Sequence, residues 1–203
     1  MNQKGIKPGL GYVDSVYTKA ILPTVALWKK ISFITPNWLT TFGVLCSGGF
    51  LVLLFKVLFK GAGMTTAVPA VLLLMSRMYF DYADGLMARS YGMTSKIGGW
   101  YDHISDVVFF AGLAVMLGLY DSRLLFVVLP LYISSSINIG CMENRYEREK
   151  KISDQDKDKS LSMISKMCPL DSPVEAFSKI FDNGVLYIAI AVTTLVIASK
   201  NTL

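Results

Sequence analysis

Four aspartates fall within one short stretch of this chain, in the pattern D-x-x-D-G-x-x-A-R, eight residues, G-x-x-x-D-x-x-x-D, running from Asp81 to Asp106. The spacing is helical. Asp81 and Asp84 are i and i+3, Asp102 and Asp106 are i and i+4, so each pair shares one helix face. Four carboxylates brought together repel one another strongly unless a cation joins them. An all-oxygen set suits a hard divalent ion, Mg²⁺ or Mn²⁺, of the kind that binds together with substrate phosphates. The chemistry predicted is metal-assisted work on a phosphorylated ligand.

The neighbours extend both stripes. If the first helix continues past Asp84, Gly85 and Ala88 follow Asp81 at i+4 and i+7 and give a flat surface that a large planar or phosphorylated ligand can approach closely. The plainer reading is that Gly85 caps the helix and Ala88 packs. On the second helix Gly98 lies one turn before Asp102 and leaves room for close helix approach. Arg89 adds positive charge fit for phosphate, whereas Lys96 reads as an ordinary interfacial cation. His103 lies about 100° round the helix from Asp102 and is expected to pack or hydrogen-bond rather than bind metal. Ser134, Ser135, Ser136 and Asn138 form a polar patch that either lines a headgroup pocket or hydrogen-bonds between helices. Cys46, Cys141 and Cys168 show no metal-ligand spacing and are expected to be structural, with no disulfide.

The elements that must position these residues are apolar. Of 203 residues 53% are hydrophobic, the mean hydropathy is +0.47, and an ordinary soluble domain is thereby excluded. Five long apolar stretches stand out: Leu39–Phe59, Met64–Phe80, Trp100–Tyr120, Leu124–Cys141 and Gly184–Ser199. The expected fold is all-α, a polytopic integral membrane helical bundle of five spans forming a single domain over residues 1–203. Nothing at the N-terminus resembles a cleavable signal, so the first span is expected to serve as its own insertion signal. Residues 1–38 form a cytosolic or interfacial segment in which Tyr17, Ile21, Val25 and Trp28 follow helical spacing while Lys19, Lys29 and Lys30 lie off the stripe. This fits an amphipathic helix in the membrane interface, facing anionic lipid headgroups, or an ordinary packing helix; Pro23 is a possible kink. Thr35-Pro36-Asn37 turns the chain into the first span, where Asn37 caps the helix or reaches a ligand from its end.

Charge sets the expected orientation. Lys4, Lys7, Lys19, Lys29 and Lys30 precede the first span. A second basic group, including Arg145, Arg148, Lys150, Lys151 and Lys179, lies between the fourth and fifth spans, and the opposite loops hold little charge. The positive-inside rule puts the N-terminus, all four aspartates and the charged loop of residues 142–180 in the cytosol. Residues 142–166 are too charged to cross a membrane and read as a solvated segment. The membrane is the endoplasmic reticulum if the source is eukaryotic and the plasma membrane if it is prokaryotic.

The stretch D81-Y-A-D84-G85-L-M-A88-R89 and, after eight residues, G98-G-W-Y-D102-H-I-S-D106 resembles the full signature of the CDP-alcohol phosphatidyltransferases, with every defining position filled. Thr35-Pro36-Asn37-Trp38-Leu39-Thr40 is more weakly similar to the way members begin their first span. The resemblance implies that an alcohol attacks the β-phosphorus of a CDP-linked donor, releasing CMP and forming a phosphodiester. It implies Asp81, Asp84, Asp102 and Asp106 as metal ligands, with Asp106 also the general base. Gly85, Ala88 and Gly98 would border the nucleotide and Arg89 would face phosphate. It further implies a homodimer and six spans, one more than the apolar stretches provide. The donor is CDP-diacylglycerol with a polar acceptor, or CDP-choline or CDP-ethanolamine with diacylglycerol; no nucleic-acid partner is expected. The other classes weighed are a carboxylate-based cation or proton-coupled transporter and a non-catalytic lipid-binding relative. A di-iron protein would need Glu-x-x-His pairs, and none is present.

Overall fold

Each apolar stretch is helical in the computed structural model, which describes residues 5–150 and 168–202 and contains no strand among them. Helix α1 spans Tyr12–Lys30, α2 Pro36–Phe59, α3 Met64–Ser90, α4 Lys96–Tyr120, α5 Leu125–Lys150, α6 Pro173–Ile180 and α7 Asn183–Asn201. A 3-10 turn at Ser122–Leu124 leads into α5. Apolar side chains of α2, α3, α4 and α7 build the core, among them Phe50, Leu54, Leu74, Phe109, Leu113 and Ile190. Ala67 and Ala70 on α3 are fully buried, and such small residues let helices approach closely. Val52, Val108, Val115, Leu119 and Phe126 point outward, as expected of faces that meet lipid.

Among the described residues, four helical segments are long and apolar enough to cross a membrane: α2, α4, Ser122–Glu149 and α7. The sequence led us to expect five, and α3 is the difference. It has 27 residues, about 40 Å of helix at 1.5 Å per residue, but Arg77, Asp81, Asp84 and Arg89 dilute its apolar character. Its surroundings compensate, because α3 packs against α1, α2 and α7. A sixth span does not form in the described part of residues 163–181. Pro173 there opens α6, a helix of 8 residues, and Ser172 Oγ caps it by accepting from the Glu175 amide at 3.2 Å.

Two further expectations change. Residues 142–150, read as part of a solvated segment, continue α5 with Arg148 and Glu149 exposed but Glu143 and Glu147 buried. The remainder, 151–166, lies outside the described residues. Cys141 and Cys168 form a disulfide with a Cα–Cα distance of 5.0 Å, against the expectation of none. A sequence separation of 27 across a charged segment gave no cue that Cys168 returns to the buried side of α5.

α1 packs as the stripe predicts, with Ile21 and Val25 buried and Lys19, Lys29 and Lys30 exposed. Pro23 occupies an exposed position inside it, and the helix continues through. Trp28 Nε1 donates to Tyr79 Oη at 2.7 Å, and that hydroxyl donates to Thr24 Oγ1 at 2.8 Å, tying α1 to α3. Asp14 joins three elements. Its Oδ1 accepts from Tyr82 Oη of α3 and from the Gly184 amide of α7 at 2.8 Å, while its own amide donates to Asp182 Oδ2 at 3.0 Å.

Candidate active site

α3 runs unbroken through the whole first half of the motif. It stops only at Gly92, whose φ of +65° lets the Met93 amide donate back to the Ala88 carbonyl at 2.8 Å, a Schellman ending. Gly85 is therefore interior helix and not a cap. Asp81, Asp84, Gly85 and Ala88 all line one cavity of about 490 Å³. α4 begins at Ser95, whose Oγ accepts from the Gly98 amide at 3.0 Å, and it aims Asp102 and Asp106 into the same cavity.

Carboxylate oxygens of Asp81, Asp102 and Asp106 lie within 4.8 Å of one another, all three residues half-buried. The fourth aspartate is placed differently. Asp84 is buried and accepts from Thr40 Oγ1 of α2 at 2.5 Å. Asp106 has a second partner, for Arg77 NH2 donates to its Oδ1 at 2.5 Å. The convergence of three carboxylates fits a hard divalent ion by both donor type and spacing.

The small residues make room for polar groups. A Cβ on Gly98 would stand 2.8 Å from Asn37 Oδ1 and 2.9 Å from Ser95 Oγ, so glycine there admits the Asn37 amide beside α4. Thr35, not Asn37, is the N-cap of α2, and Asn37 lines the cavity from its first turn. A Cβ on Gly85 would stand 2.9 Å from an Arg89 guanidinium nitrogen. Arg89 also lines the cavity, and its Nε donates to the Gly5 carbonyl at 2.8 Å. His103 lies edge-on to Trp100 with ring centroids 6.5 Å apart and is outside the carboxylate cluster. Lys96 is exposed. Of the serine patch, Ser135 and Ser136 reach the cavity, and Ser135 Oγ donates to Asn183 Oδ1 at 3.3 Å; Ser134 and Asn138 are buried beside them.

Thr40 and Arg77 are among the polar residues at the site that escaped the sequence reading. Thr40 sits in Thr35-Pro36-Asn37-Trp38-Leu39-Thr40, which signalled only a helix start. Arg77 lies inside an apolar run, exactly one i, i+4 step before Asp81 on the same face. An arginine within a span is itself a functional signal, and that would have found it.

Among the described residues, four helical segments are long and apolar enough to cross a membrane, and three carboxylates converge at the wall of one cavity; this is the class of a helical membrane protein with a candidate cation site. The chain belongs to the CDP-alcohol phosphatidyltransferase family, whose description it matches over residues 33–198, from the turn before α2 to near the end of α7. That family is one of transferases of lipid biosynthesis. No similarity was found to a curated protein or to a solved structure.

Proposed function

We propose that the protein transfers a substituted phosphate from a CDP-linked donor to an alcohol acceptor at the end of the bundle that holds the aspartates. The observation that carries this reading is the convergence of Asp81, Asp102 and Asp106 at the wall of a 490 Å³ cavity. These three, with Asp84 beside them, are the residues that would hold Mg²⁺ or Mn²⁺. Bound there, such an ion supplies charge withdrawal from the donor's phosphates. Arg89 offers its guanidinium to the same phosphates, and Gly85, Ala88 and Gly98 leave backbone open beside the nucleotide, with Asn37 at its edge. Asp106 takes the proton of the acceptor hydroxyl. The alcohol oxygen then bonds to the β-phosphorus, the bond from that phosphorus to the CMP oxygen breaks, and CMP leaves.

The placement of the aspartates favours an enzyme over a transporter, whose sites lie near the middle of the bilayer on broken helices. Here α3 and α4 are continuous, and the cavity adjoins α1 and the start of α2. By the positive-inside rule this end faces the cytosol, where CDP-linked donors are at hand.

The test is CMP release by the purified protein in lipid micelles with Mg²⁺ or Mn²⁺. CDP-diacylglycerol is offered with a panel of polar alcohols, and CDP-choline or CDP-ethanolamine with diacylglycerol. Release that needs one particular alcohol names the substrates. Asp106→Asn is expected to abolish turnover while keeping metal-dependent nucleotide binding, and Asp81→Asn to lose both. Near-normal turnover in Asp106→Asn would overturn the role given to that residue.

A further inference from the structure

Arg77 is 3% exposed in the middle of an otherwise apolar run. Among the described residues its one ion pair is with Asp106, and its Nε and NH1 are buried without a hydrogen-bond partner. The guanidinium is fixed by rings instead. It lies 4.2 Å from the Phe109 ring centroid and 5.6 Å from those of Phe110 and Tyr187. A buried arginine usually spends several donors on partners. One that spends a single donor while three aromatic faces lock its plane is arranged to hold that one partner.

We propose that Arg77 is a positioning residue for Asp106. It grips Oδ1 and restrains the carboxylate from turning fully toward Asp81 and Asp102. The second oxygen then stays available to the acceptor hydroxyl. This inference rests on the reading of Asp106 as the proton acceptor. A tether on the carboxylate and a cation-binding role for it oppose each other, since every oxygen held by Arg77 is one less for an ion. Arg77 thereby weakens cation binding at the cluster and preserves the group that removes the proton. A residue that served only to bolt α3 to α4 would not divide its effects in this way.

Arg77→Met keeps the length of the side chain and removes its charge. Its Mn²⁺ affinity, measured without substrates by the electron spin resonance of free Mn²⁺, should be about tenfold tighter, because a like charge next to the ion is gone and Asp106 is released. CMP release should fall about 100-fold in kcat, with the donor KM little changed. Arg77→Lys, which restores the charge, should bring Mn²⁺ affinity back to the native value and recover at least about tenfold of the turnover. Mn²⁺ affinity and turnover falling together, or native turnover in Arg77→Met, would overturn the proposal. If Arg77→Met does not fold, Phe109→Leu decides. It keeps the charge but removes the nearest ring, and should slow release by about three- to tenfold at unchanged Mn²⁺ affinity; native release would refute the idea. Asp106→Asn, assayed alongside, separates the two claims. If it turns over normally, the base assignment fails; if it is inactive and Arg77→Met is native, only the role of Arg77 fails.

Discussion

Thr40→Val exchanges a hydroxyl for a methyl of nearly the same shape at a hydrogen bond from α2 to an aspartate of the motif. Thr40 Oγ1 has a single proton and two acceptors in range, the Asp84 carboxylate at 2.5 Å and the Pro36 carbonyl at 3.3 Å. The shorter and charged partner takes it. A hydrogen bond to a charged group contributes roughly 1.5–3 kcal/mol, and Asp84 is buried with no water-filled alternative supplied by valine. Divided by about 1.4 kcal/mol per tenfold, the loss is one to two powers of ten. Outer partners of metal-binding carboxylates cost a comparable 10- to 100-fold in affinity when removed. Thr40→Val should therefore raise the Mg²⁺ or Mn²⁺ concentration for half-maximal CMP release by about 10- to 100-fold, and saturating metal should recover most of kcat. Thr40→Ser, which keeps the donor, should stay within about threefold of native. Titrating Mn²⁺ against resonance signal and against CMP release measures both quantities. Native Mn²⁺ affinity in Thr40→Val would show that Asp84 does not depend on α2 for its orientation, and the reasoning would fail.

Two further outcomes follow from the same geometry. Gly98→Ala puts a Cβ 2.8 Å from Asn37 Oδ1 and 2.9 Å from Ser95 Oγ, so one of those side chains must swing away. Losing the Ser95 cap costs about 1 kcal/mol, and replacing a helical glycine by alanine returns about as much. The melting temperature should hardly move while the donor KM rises; an unchanged KM would show that Asn37 does not border the nucleotide. At Asp14, burial and then the Asp182 carboxylate push the pKa up to about 6. A carboxyl that binds its proton more tightly folded than unfolded stabilises the fold at low pH. That contribution, about 3 kcal/mol for a shift of this size, disappears as pH rises from about 4 through about 6. Asp14→Asn should flatten the melting profile in micelles across that window, and a profile with the native slope would exclude Asp14 as its source.

What could be read in the sequence was what repeats with a helical period. The apolar runs of α2, α4, α5 and α7 and the exposed lysines of α1 are set by local spacing and came out as expected, and the residues of both aspartate stripes line one cavity. Contacts between distant segments left no periodic trace. Thr40 meets Asp84 across 44 residues and Lys7 meets Glu143 across 136, so neither pair is visible until the helices are assembled. Charge density misled for the end of α5. Glu143 and Glu147 look like solvent-facing residues, yet they are one helical turn apart and both turn inward to the cavity. The Cys141–Cys168 bridge belongs to the same blind spot, because chain reversal rather than spacing brings its halves together.

The weakness of α3 as a membrane span and the chemistry of the site have one origin. An arginine or aspartate at the centre of an isolated span costs roughly 2.5–3.5 kcal/mol on insertion scales, so Arg77, Asp81 and Asp84 on a lipid-facing helix would together cost at most roughly 8–10 kcal/mol, the aspartates less than Arg77 because they lie nearer the helix end. That is as large as the whole stability of many folded domains. The helix tolerates them because its polar face meets protein. Thr40 of α2 bonds Asp84, Asp106 of α4 bonds Arg77, and α1 bonds Tyr79 and Tyr82 of the same helix. Two of these partners come from α2 and α4, helices apolar and long enough to cross a membrane on their own. The amphipathic α1 and the spans α2 and α4 therefore do more than enclose the cavity. They provide the environment in which a charged central helix is stable at all, and this is why a single threonine on α2 is the place where bundle packing and cation binding can be separated by experiment.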